Sequence, residues 1–167
     1  MDRLDTPRTV LRPFASSDWR DVMALAEDWV QAPGPAFDKW PTDGGGAKGL
    51  TAHFCQHPDR YLALEVKGTG RVVGLVALNG YEAGGEMDLG HVIHSHYQDN
   101  GHDLEALGAV VAHLFARPGL TSIIAKNADH PPQLAPLLAL GFTTVDPREP
   151  GILRLTKEEW AEAPRAS

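Results

Sequence analysis

Between Met87 and Leu114 the spacing of apolar residues changes from two to about 3.6 across a glycine-containing turn, and this switch constrains the fold most. MDLGHVIH reads as a strand and YQDNGHD as a turn. Leu104, Leu107, Val110, Val111 and Leu114 then share one face of a helix that stops at RPG. A strand that runs through a glycine turn into a helix presents backbone N–H groups at the positive end of the helix dipole, where an anion can bind. Asp103 stands in that same turn. One reading makes it a helix N-terminal acid, stabilising by about 0.3–1 kcal/mol through the dipole. The other makes it a charge that repels the anion.

The remaining segments supply strands and helices in a mixed order. RTVLRPF (residues 8–14) alternates and ends at a proline, which predicts a strand at a sheet edge. Ser16, Ser17 and Asp18 offer caps to a helix whose apolar residues are Trp19, Val22, Met23, Leu25 and Ala26. Residues 31–49 hold PGP, WP and GGG without periodicity, so they read as a long loop or lid that includes Phe37 and Trp40. A short helix over residues 50–56 is expected next. YLALEV and RVVGLVALNGY flank the turn KGTG as a β-hairpin, and with MDLGHVIH they make an antiparallel meander. LTSIIAK is a short buried strand. PPQLAPLLALGF is a helix from the proline pair to Gly141, with Pro136 expected to delay its start or kink it. GILRLT is the last strand, and KEEWAEA a turn or short helix.

A chain of 167 residues suits one domain with a substantial core, so residues 1–167 are expected to form a single α+β domain. The net charge of −7 comes without a lysine or arginine run, which argues against nucleic acid or an anionic membrane as partner. A small molecule or a protein is the expected partner, with a homodimer left open. Cys55 is the sole cysteine, so no intrachain disulfide forms, and a packing role is expected for it. The charged start MDRLDTPRTV lacks the apolar core of a signal peptide, and no run of about 18 apolar residues occurs. A cytoplasmic protein is expected.

The ordered set of strand and helix, meander, glycine turn into helix, strand, helix ending in LGF, and final strand resembles the GCN5-related N-acetyltransferases (GNAT). It is most similar to the branch that acetylates ribosomal-protein N-termini. RTVLRPFASSDWRDVMAL matches the opening of that branch, GRVVGLVALNGY its central hairpin, and MDLGHVIHSHYQDNGHDLEA its cofactor-binding strand, turn and helix. The resemblance implies a mixed, mostly antiparallel sheet splayed in its middle and flanked by helices. It also implies acetyl-CoA as cosubstrate, with pantetheine amides pairing with Val92, Ile93 and His94 as an added strand does. The pyrophosphate would lie over Gln98, Asp99, Asn100, Gly101, His102, Asp103 and Leu104. The implied reaction is direct acetyl transfer to a primary amine of a small molecule or protein N-terminus.

The chain departs from the family pattern at three places. Gln98 and Gly101 match the phosphate turn, but Asp103 replaces its last glycine or alanine. Where the family often has cofactor-contacting Asn and Ser, this chain has His130 and Gln133, and the tyrosine often placed near the leaving thiolate falls on Leu137. A catalytically silent domain that binds another ligand or a protein in the same cleft is therefore the alternative. For the base, His91 is the first candidate and Asp88 the second. His91 also reads as a polar residue facing the second layer of the fold. Strand alternation would put His94 and His96 on one face, and with His102 or His130 these two form a weaker, metal-binding reading. Trp40 is the candidate for lining the acceptor pocket.

Overall fold

The computed structural model describes residues 3–30, 40–82, 85–98, 100–126 and 131–163. In chain order the elements are β1 (Leu4–Asp5), β2 (Thr9–Pro13), α1 (Trp19–Val30), α2 (Gly44–Gln56), β3 (Tyr61–Val66), β4 (Arg71–Glu82) and β5 (Glu86–Ile93). They continue with α3 (His102–Phe115), β6 (Ser122–Ala125), α4 (Pro131–Ala139), β7 (Thr143–Asp146), β8 (Glu149–Thr156) and α5 (Lys157–Glu162). The eight strands lie in the order β1-β2-β3-β4-β5-β6-β8-β7. The β5–β6 pair is parallel and the other pairs are antiparallel, so the sheet is mixed and mostly antiparallel as expected. No helix among the described residues is long and apolar enough to cross a membrane.

Alternation along the strands gives the sheet two apolar faces. Leu62, Leu64, Val76, Leu78, Leu89 and Ile93 pack with Leu107, Val110, Val111 and Leu114 of α3 and Leu137 of α4. On the opposite face Ala63, Val72 and Leu75 pack with Phe14, Val22 and Phe54, which join α1 and α2 to the sheet. The β3–β4 register slips between Leu64 and Glu65, so β4 carries one extra residue there. Gly74 follows this bulge, and a Cβ on it would stand 2.5 Å from the Val92 carbonyl oxygen. Glycine therefore lets β4 and β5 approach beside the strand that the resemblance assigns to the cosubstrate.

Several local expectations are corrected. The strand at residues 9–13 is not the edge, because Leu4 and Asp5 pair outside it with Leu11 and Val10. The loop expected over 31–49 ends earlier, since α2 starts at Gly44, while residues 31–39 and Phe37 lie outside the described residues. The Asp43 side chain accepts from the N–H groups of Gly45 and Gly46, each at 2.9 Å, and offsets the weak helix propensity of GGG. Buried Ala47, Thr51 and Phe54 then follow at helical spacing. Helix α4 begins at the proline pair rather than late, and Pro136 lies inside it without an N–H for the Pro132 carbonyl. Strand β7 carries exposed residues over most of its length and has no burial pattern that alternation could reveal. Leu104 leaves the apolar stripe of α3 and is 37% exposed.

Candidate active site

The pairing of β5 with β6 covers only Glu86↔Ser122, Met87↔Ile123 and Asp88↔Ile124. Strand β5 runs on to Ile93, so residues 89–93 have no β6 partner and the sheet opens at Asp88. The His94 N–H donates to the Val73 carbonyl at 2.8 Å, which turns the backbone groups of His94 and Val92 toward β4. His91 and Ile93 turn theirs toward the opening. Side-chain amides meet both carbonyls there: Gln133 Nε2 donates to His91 at 3.1 Å, and Gln98 Nε2 to Ile93 at 3.3 Å. An extended ligand added along this edge would have to displace them. Gln133 is buried, so its amide holds this carbonyl away from solvent until a ligand replaces it.

The turn after β5 leads into α3. Gly101 caps the helix with φ 71°, a left-handed conformation that costs a residue with a Cβ. Two carbonyls of the turn accept from the guanidinium of Arg8, Asn100 at 2.8 Å and Gly101 at 3.0 Å. Arg8 Nε also donates to Glu105 at 2.8 Å. Burial raises the Glu105 pKa, but hydrogen bonds from Thr6 and Arg8 outweigh it and hold the carboxyl at about 2. Asn100 Nδ2 donates to the His96 carbonyl at 3.3 Å. Asp103 is buried and its Oδ1 accepts the Leu104 N–H at 2.8 Å. The carboxylate thus uses one of the N–H groups that an anion at this helix start would seek. A groove of about 490 Å³ lies here, lined by Gln98, Gly101, Asp103 and Leu104 on one side and by Pro132, Ala135, Pro136 and Ala139 of α4 on the other.

A second cavity, of about 340 Å³, lies on the α2 face of the sheet. Leu75, Ala77, Gly90 and Val92 form its floor, Trp40, Leu50, Phe54 and Tyr61 an apolar wall, and Asn79, Asp88 and Lys126 its polar end. Lys126 Nζ stands 3.9 Å from Asp88 Oδ2. Asp88 is therefore at once the last residue paired across the sheet opening and part of the cavity wall. Alternation places the His91 side chain on the other face, with Leu89, Ile93 and its β4 neighbour Val76. It is 6% exposed, its Nε2 has no hydrogen-bond partner, and burial pushes the imidazole down to about 4. The side chains of the two candidate bases thus point to opposite faces of β5, although His91 as a residue also borders the cavity.

Trp40 lines the cavity, its ring 6.1 Å from that of Phe54. Gln98, Gly101, Asp103 and Leu104 gather at the groove, while Asp99 and His130 lie outside the described residues. The alternation expected of His94 and His96 does not hold, because β5 ends at Ile93 and a 3-10 turn over Ser95–Tyr97 follows. His94 caps that turn, with Nδ1 accepting from the His96 N–H at 3.2 Å, and Asp28 of α1 accepts from the Ser95 N–H at 2.7 Å. His102 stacks edge-on to Tyr97, with ring centroids 5.9 Å apart. Among the described residues no group of three or more His, Cys, Asp or Glu side chains is arranged to hold a metal, and His130, one of the two possible third ligands, lies outside them. Cys55 Sγ donates to the Phe14 carbonyl at 3.3 Å. Arg8 and Lys126 carry no local signal in the sequence, since Arg8 meets the turn from the bend before β2 and Lys126 meets Asp88 across the β5–β6 pair.

Residues 8–143 match the acetyltransferase (GNAT) domain. No curated protein matches the chain. Among solved structures it is similar to a GCN5-related N-acetyltransferase from Brucella melitensis, at 16% identity and TM-score 0.78, over 96% of this chain and 80% of that one. It is similar to the ribosomal-protein-S5-alanine acetyltransferase from Vibrio fischeri, at 16% identity and TM-score 0.74, over 96% of this chain and 99% of that one. A third is the microcin C7 self-immunity acetyltransferase in complex with acetyl-CoA and AMP, at 14% identity and TM-score 0.71, over 90% and 93% of the two chains.

Proposed function

Since the chain belongs to the GNAT acetyltransferase family, we propose that it transfers the acetyl group of acetyl-CoA directly to a primary amine. The observation that carries this reading is the sheet opening at Asp88, which has a ligand-sized groove on one side and a cavity with a carboxylate on the other. Pantetheine lies along the free edge at His91 and Ile93, displacing the Gln133 and Gln98 amides, and its phosphates lie toward the Gly101 turn. The amine enters from the cavity, attacks as the neutral species after its ammonium proton has left, and bonds to the carbonyl carbon as the carbon–sulfur bond breaks and nitrogen releases its second proton to solvent or the leaving thiolate. Asp88 takes the ammonium proton, directly or through a water, and coenzyme A leaves as a thiolate that is protonated by solvent or by that second proton. Backbone N–H groups at the opening are the donors at hand for the developing oxyanion. We assign the base to Asp88 rather than His91 because, although both residues border the cavity, strand alternation turns the Asp88 side chain into it and the His91 imidazole away, into the buried core. The acceptor is a small-molecule amine or a protein N-terminus, and a cytoplasmic setting suits both.

One observation favours a second reading, a silent domain of the same fold: Asp103 already holds an N–H group of the helix start. Calorimetric titration with acetyl-CoA separates the two. The wild type is expected to bind in the micromolar range, and Asp103→Gly to bind about three- to tenfold tighter, the weight of one freed N–H and one removed repulsion. No binding at millimolar ligand by either protein overturns the transferase reading. Binding by the variant alone assigns the wild type to the silent class.

A further inference from the structure

We infer that the acceptor is a monocationic primary amine carried on a flat apolar body, an arylalkylamine rather than a polyamine. This rests on the acetyl-transfer reading and deepens it at the cavity on the α2 face. The floor is nearly featureless at its centre, where Ala77 pairs with Gly90 and no long side chain rises from either. Above it stand aromatic rings in mutual contact, with Phe54 and Tyr61 centroids 4.9 Å apart and Trp40 and Phe54 6.1 Å apart. A slot with a flat floor and aromatic walls takes a ring by stacking and apolar burial.

The charged groups select against a second ammonium. Asp88 is the one carboxylate among the described lining residues, and Lys126 stands 3.9 Å from it. Arg60 holds its guanidinium 5.5 Å from the Tyr61 ring centroid and donates to Asn79 at 3.4 Å, so another cation borders the same end. One ammonium can approach Asp88 as the amine about to react. Each further positive charge on a spermidine-like acceptor would face Lys126 or Arg60 without a carboxylate of its own.

The test compares kcat/KM for phenethylamine, spermidine and a tripeptide with a small N-terminal residue, at fixed saturating acetyl-CoA. Phenethylamine is expected to lead by about tenfold or more, as pocket-based discrimination of this size allows. Lys126→Glu, a change at a side chain that is 38% exposed, is expected to raise kcat/KM for spermidine by about tenfold. Tyr61→Ala is expected to raise KM for phenethylamine while leaving acetyl-CoA affinity unchanged. Preference for spermidine or for the tripeptide, or a Lys126→Glu protein with unchanged amine preference, overturns the acceptor class and leaves acetyl transfer standing. If acetyl-CoA binds and none of the three amines is acetylated, acetyl transfer falls and the acceptor class falls with it.

Discussion

Asp88→Asn is expected to lower kcat by roughly 10²–10⁴-fold, the usual weight of a positioned general base. Asparagine keeps the size and hydrogen-bonding reach of the side chain but cannot take the amine proton. Asp88 closes the β5–β6 ladder opposite Ile124 and lines the cavity beside Lys126, the place where the proposed mechanism brings thioester and amine together. The loss is expected in kcat, with acetyl-CoA affinity close to wild type, because the groove at Gly101 lies beyond the other end of β5. Steady-state kinetics together with a binding titration decide it. A variant that keeps its turnover removes Asp88 from the proton path.

The second large effect is on stability in acid. The His91 imidazole is buried and burial holds it near 4 against an ordinary value of 6.5, so its folded-state pKa is depressed. Protons therefore bind the unfolded chain first, and the stability that neutral His91 permits above pH 6.5 is lost as pH falls toward 4. The size of that loss is about 3 kcal/mol over the window. His91→Leu removes the titrating group and keeps an apolar side chain on a face shared with Leu89 and Ile93. Urea unfolding at pH 7 and near pH 4.5 is expected to show the wild type losing about 2–3 kcal/mol more than the variant. Parallel losses in both proteins would show that His91 does not carry the acid sensitivity.

The contrast between Asp88 and His91 shows what could be read in the sequence and what could not. Alternation in MDLGHVIH is enough to separate the two onto opposite faces, but which face meets the acceptor depends on where α2 packs, and Phe54 and Trp40 reveal that only in three dimensions. The meander and α3 were legible because each is a long apolar segment bounded by a glycine-containing turn, and the signal survives the β3–β4 slip and the exposure of Leu104. Helix α2 was hidden by its glycines, although the Asp43 cap and the Ala47, Thr51, Phe54 spacing were present as signals. The phosphate turn was legible as a motif, whereas its support by Arg8 came from a hairpin more than ninety residues away in the chain. Gln133 was placed at a cofactor-contacting position, and its hold on the His91 carbonyl emerges only where β6 leaves β5 unpaired.

Acetyl transfer itself is tested most directly by incubating the protein with acetyl-CoA and phenethylamine and following free thiol and N-acetylated amine together. Thiol and product rising in equal amounts, with no acetyl group retained on the protein by mass spectrometry, is the result predicted for direct attack at the opening beside Asp88. Thiol release without acetylated amine, or an acetylated protein that passes its acetyl group on, would contradict it.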